Sequence, residues 1–260
     1  MNVVCGLLSL LIGNAYLLLG VLTGRELLRH RHERGWSHFG AAFMVMAFTC
    51  GPHHLVHGGH LLFEGDVANG LVLAGLLLGM PPGVVFIALR LEAAFGGRGD
   101  RFISGTPAWL FALPAVMLLG YGALFAAAFA HVADHGIPSV MAIPNIALAI
   151  SFSMVGWMTL RTQTRRRLTT GGWSLSGIAM AGVFPTCGAA HLVHVLSSPF
   201  DIHGFVFDVI GVPASLYFLW AVHRLYRASL HDWNRRPLVG RAGALRRPSP
   251  WLRAQAGGAR

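Results

Sequence analysis

The sequence predicts an all-α polytopic membrane protein, with seven transmembrane helices arranged as two parallel three-helix repeats joined by one extra helix. Three observations predict it. The 260 residues are 54% hydrophobic and only 12% charged, with a mean hydropathy of +0.58, whereas a soluble domain carries roughly 25% charge. Apolar runs of the ~20 residues needed to cross a bilayer recur along the chain. The string Thr-Cys-Gly-x-x-His-Leu-Val-His occurs twice, at 49–57 and at 186–194, each time inside such a run.

The seven spans fall at 4–24, 38–62, 70–91, 107–131, 140–160, 175–196 and 204–224. The first has no basic flank before it and no small-x-small cleavage site after it, so it reads as a retained helix rather than a signal peptide. The second and sixth carry the two motifs. Around them the repeat is longer: Gly35-Trp36-Ser37-x-x-Gly40 returns as Gly172-Trp173-Ser174-x-x-Gly177, and Phe63 as Phe200, all 137 positions later. Gly79-Met80-Pro81 of the third span is echoed by Gly211-Val212-Pro213 of the seventh, 132 positions later. The fourth span has no counterpart. It carries the chain back across the bilayer so that both units start on one side, which makes the repeats parallel about an axis along the membrane normal. The expected organisation is a first repeat at 1–95, a connecting span and loops at 96–138, a second repeat at 139–227, and a tail at 228–260. Each repeat reads as a helix, an Arg-rich inner loop, the motif helix, a short outer loop and a Pro-containing helix.

Charge orients the spans. All 20 basic residues are Arg. They follow the first and fifth spans, sit around the loop after the third, or lie from Arg224 onward, while the alternate loops carry Glu64, Asp66, Asp134 and Asp201. The positive-inside rule then puts the N-terminus outside and the C-terminus in the cytoplasm. On the Arg-only, Ala- and Gly-rich composition the expected location is a bacterial inner membrane. The pI near 11.1 is a topology signal before it is a nucleic-acid signal, and no nucleic-acid partner is expected. The tail, with Pro237, Pro248, Pro250 and many Arg, reads as solvated, disordered and able to touch anionic lipid. It is too short and polar for a kinase or other output domain. Three cysteines, Cys5, Cys50 and Cys187, make no disulfide framework.

The chemistry sits in the motifs. Cys50, His54 and His57 run i, i+4, i+7, as do Cys187, His191 and His194, and on a helix such offsets span about 60° of arc. Thiolate with imidazole in an apolar setting suits Cu(I) or Zn(II), and low coordination in a hydrophobic shell favours Cu(I) over tetrahedral zinc. Cys50, His54, Cys187 and His191 are the expected ligands of one or two copper ions, with His57 and His194, one turn further out, as the groups that orient them. The plainer alternative is His bonded to a backbone carbonyl beside Cys as small core filler. His53, His57, His60, His131, His135, His194 and His203 fall at the outer end, either as a metal-collecting vestibule or as ordinary interfacial histidines. Asn14, Asn145 and Asp208 are the remaining polar residues near or within spans. An intramembrane carboxylate is a functional candidate by default, but Asp208 reads as only one turn into its helix and fits the interface equally well.

Cys50-Gly51-x-x-His54-Leu55 and Cys187-Gly188-x-x-His191-Leu192 resemble the Cys-Gly-x-x-His-Leu string on the second of three N-terminal helices of ethylene receptors. Phe39-Gly40-Ala41 is similar to the stretch preceding that string, and Asn145-Ile146-Ala147-Leu148-Ala149 resembles the family's first-helix run with Asn in place of its Asp. The resemblance implies Cu(I) on Cys and His, a small olefin or gas as ligand, and a homodimer, which two fused units would reproduce as a single-chain pseudo-dimer. Family receptors continue into signalling domains. None is expected here, so a separate signalling or copper-handling partner is implied, and enzymatic activity is not. Two other readings stay open: a metal transporter working at the repeat interface, and a haem b redox protein with His54 and His191 as axial ligands.

Overall fold

The computed structural model describes residues 1–64, 68, 70–105, 108–135, 142–170, 172–197 and 202–231. Seven helices follow one another: α1 (Asn2–Arg34), α2 (His38–Gly59), α3 (Gly70–Ala94), α4 (Ala108–His135), α5 (Ala142–Thr170), α6 (Leu175–Ser197) and α7 (Ile202–His231). Two three-residue strands, β1 (Phe102–Ser104) and β2 (Gly172–Ser174), complete the described elements. Among the described residues six helices, all but α4, are long and apolar enough to cross a membrane, and α4 contributes a shorter apolar stretch, Leu118–Ala127. A π-helical turn, His60–Glu64, continues α2.

The helices run further than the apolar spans. Positions 25–34 and 161–167, expected as Arg-rich loops, are the last turns of α1 and α5. Arg is a good helix former, and cations sit favourably at the negative end of the helix dipole, so the chain has no reason to unwind where the hydrocarbon would end. The α1–α2 connection shrinks to Gly35, Trp36 and Ser37, with Gly35 at φ 69°, a left-handed conformation that favours glycine. Positions 228–231, expected in the tail, belong to α7. The rest of the tail, Asp66, Asp201 and 136–141 lie outside the described residues.

The repeated Trp-Ser-x-x-Gly is a helix start. Ser37 caps α2 by accepting from the Gly40 N–H at 3.2 Å, and Ser174 accepts from the Gly177 N–H at 3.1 Å at the start of α6. Each serine satisfies one of the amides that a helix N-terminus leaves without an intrahelical partner. At α6 the cap is reinforced: Asp100 accepts from Ser174 Oγ (2.6 Å) and the Ser176 N–H (2.9 Å), while β1 pairs antiparallel with β2. At α2 the serine works without a carboxylate on it, so Ser37→Ala should cost about 1 kcal/mol. A lowered thermal midpoint of the detergent-solubilised protein checks this.

Glycines set the helix pairing. A Cβ on Gly13 of α1 would lie 2.8 Å from the Gly51 carbonyl oxygen, and one on Gly58 would lie 2.9 Å from that of Gly6. A Cβ on Gly188 of α6 would lie 2.9 Å from the Ala149 oxygen of α5. Small residues let backbones approach where hydrocarbon supplies no hydrophobic drive between helices. The third helices cross over: α3 packs on α6, while α7 packs on both α2 and α5. α4 is fastened to α6, with Tyr121 Oη donating to the Gly182 carbonyl (3.1 Å) and meeting Thr186 Oγ1. The centre of the bundle is a cluster of Phe43, Met46, Cys50, Leu148, Phe152, Phe184 and Phe218, with Tyr16 from α1.

Candidate metal centre

Two stripes diverge on α2. Cys50 and His54 turn toward α1, where the His54 and Tyr16 rings stack with centroids 6.0 Å apart. Cys50 Sγ lies 3.6 Å from the Met46 thioether sulfur, one turn below on the same helix. From α6, Cys187 Sγ reaches the same tyrosine, 2.7 Å from Tyr16 Oη. Cys50 is part of the central cluster and Cys187 packs against it, so the two thiols border one core and Tyr16 joins the two motifs. Tyr16, His54 and Cys187 also line a cavity of about 470 Å³ between α1 and α3, floored by α6 and otherwise almost wholly apolar.

The second stripe, His53 and His57, faces α6 and α7. His53 Nδ1 lies 3.0 Å from Asp208 Oδ1, and His191 Nδ1 lies 3.5 Å from the same oxygen. Asn145 Nδ2 donates to Asp208 Oδ2 at 2.6 Å, and Asn145 Oδ1 is 2.8 Å from His191 Nδ1. All four side chains are buried. Asp208 lies nearly two turns inside α7 and is buried among the helices. Toward the end of α2 the His53 and His194 rings are 5.2 Å apart and the His57 and His194 rings 4.4 Å. Beyond them His60 Nε2 is 3.5 Å from the Glu64 carboxylate.

The four expected ligands and the two histidines expected to orient them are thus divided. Cys50, His54 and Cys187 surround Tyr16, His191 turns to Asn145 and Asp208, and His57 and His194 pack on each other across α2 and α6. Among the described residues, one group of three His, Cys or carboxylate donors lies within 4.8 Å of one another: His53, His191 and Asp208. The sequence groups His53 only with the outer histidines, because the second motif has Ala190 at that position and the repeat marks only what the two copies share. Nothing in the sequence marks Tyr16 or Met46. The motif threonines are occupied on their own helices, Thr49 with the Met46 carbonyl and Thr186 with that of Gly182. His131, His135 and His203 have side chains outside the described set.

Comparison of the chain with protein-family profiles, with curated proteins and with solved structures returns no significant match.

Proposed function

We propose that this chain is an integral membrane copper(I)-binding protein built from two fused ethylene-receptor-like units, a sensor or copper-handling module rather than an enzyme. The observation that carries the reading is that Cys50 and Cys187, one from each motif helix, border one buried core that includes Tyr16. Cys50, Cys187 and His54 are the copper ligands in this reading, with the Met46 thioether beside Cys50. Thiolate, thioether and imidazole form a soft donor set that suits Cu(I). Held there, copper(I) supplies a soft centre for a small unsaturated or gaseous ligand, which the apolar cavity between α1 and α3 would admit from the bilayer.

Reciprocal packing supports the pseudo-dimer. α3 of the first unit lies on α6, and α7 of the second lies on α2; the two caps and the two thiols recur at one spacing of 137 positions. The N-terminus is outside and the C-terminus cytoplasmic in this arrangement, on the distribution of Arg. Beyond the thiols, toward the start of α2, the bundle is filled by Phe43, Phe184 and Phe218. Among the described residues no further group of three His, Cys or carboxylate donors lies on that side, which favours retention of the metal over passage.

Purified protein loaded with Cu(I) and washed should retain one or two equivalents by elemental analysis. Cys50→Ser combined with Cys187→Ser should abolish retention, and replacement of His30 and His32 should leave it unchanged. Full copper occupancy in the double cysteine variant would refute the assignment.

A further inference from the structure

We infer that His53, His191 and Asp208 form a second metal site, separate from the thiols, that takes one borderline divalent cation such as Zn(II) through nitrogen and oxygen ligands alone.

The distances between donors motivate it. Ligands about 2.0–2.2 Å from a divalent ion stand roughly 3.0–3.5 Å from one another around it. The separations here are 3.0 Å for His53 Nδ1 to Asp208 Oδ1 and 3.5 Å for His191 Nδ1 to the same oxygen. The side chains of these three residues are each less than a tenth exposed, and a charged carboxylate at that depth demands a partner.

A histidine and an aspartate that had settled on each other would align an N–H on an oxygen. These do not: His53 Nδ1 and Asp208 Oδ1, though 3.0 Å apart, are both without a hydrogen bond. The other carboxylate oxygen is occupied by the Asn145 amide, so Asp208 is held with one oxygen presented to the two imidazoles. Orientation of a ligating carboxylate by an outer hydrogen bond is the usual support of a metal site. Asn145 Oδ1, beside His191 Nδ1, adds an oxygen donor facing the same group. When His191 ligates through Nδ1 its proton sits on Nε2, and the Asn145 bond gives way to the cation. Two imidazoles, a carboxylate and an amide oxygen, with no sulfur, suit Zn(II), Mn(II) or Fe(II) and not Cu(I).

The site is single. At the repeat spacings, the counterparts of His53 and Asp208 are Ala190 and Leu76. Ala190 and Leu76 line the apolar cavity instead. One half of the pseudo-dimer has a polar pocket where the other has a greasy one. The cation would tie α2 to α6 and α7, because its ligands come from all three.

The test uses the full-length protein, stripped with chelator, in detergent. Equilibrium dialysis against Zn(II) should leave one equivalent bound, in the parent and equally in the Cys50→Ser, Cys187→Ser variant. Asp208→Asn and His53→Gln should each lower affinity at least tenfold and remove the rise in thermal midpoint that Zn(II) produces. Co(II) added to the parent gives a readout without mutation. Visible d–d bands lacking the near-ultraviolet thiolate charge-transfer band are expected. A thiolate band, or undiminished Zn(II) binding in folded Asp208→Asn and His53→Gln proteins, would overturn the proposal, as would absence of any bound divalent cation from the parent. Because copper retention is read on the cysteine variants and zinc on Asp208 and His53, failure of one site is distinguishable from failure of the other.

Discussion

Phe218→Ala should destabilise the bundle by about 3–5 kcal/mol, the usual cost of truncating a buried phenylalanine. Its ring is completely buried. It lies 5.0 Å from the Phe184 ring, 5.5 Å from Phe39 and 5.9 Å from Phe43. Those neighbours belong to α6 and α2, so the cavity would open where α7 meets both motif helices. Close-packed interiors relax only partly around such a gap. Thermal or denaturant unfolding in detergent micelles checks the magnitude. A loss under about 1 kcal/mol would mean that the aromatic cluster collapses to fill the space.

Gly51→Val and Gly188→Val should each cost about 1–3 kcal/mol from overpacking, and Gly188→Val should be the worse. At Gly188 even a Cβ would lie 2.9 Å from a backbone oxygen of α5, whereas at Gly51 the nearest atoms are a flexible Leu17 side chain at 3.0 Å and the Gly13 oxygen at 3.1 Å. A leucine can swing aside; a carbonyl moves only with its helix. Comparison of the two thermal midpoints checks the ranking, and equal losses would show that α1 is as fixed as α5. These are the glycines of the Cys-Gly-x-x-His string, so its second position is kept small by the neighbouring helix rather than by a ligand.

The helices were legible in the sequence because bilayer length and hydropathy constrain them almost alone. Their ends were not. Arg25 to Arg34 looked like a loop on charge, yet charge does not interrupt a helix that has left the hydrocarbon. The candidate site was legible in its residue types and misread in its grouping. Spacing shows that Cys50, His54 and His57 share about 60° of arc, but neighbouring helices divide that arc: α1 meets Cys50 and His54 through Tyr16, and α6 meets His57. His53 lies one residue, about 100°, from His54, enough to face Asp208. Asn145 and Asp208 stood out as polar residues in apolar runs, but a pairing between residues 63 positions apart depends on how α5 and α7 pack, which periodicity cannot supply.

The exchange of third helices bears on how such a chain could arise and be taken apart. α3 rests chiefly on α6, and α7 rests on α2 as much as on α5, so each three-helix half supplies a surface to the third helix of the other. An ancestral module of this kind would have been an obligate dimer, with each copy lending an arm to the other. Two copies joined through a helix such as α4 would be fixed at a proportion of one to one, with the two arms free to diverge. At the repeat spacing α7 carries Asp208 where α3 carries Leu76.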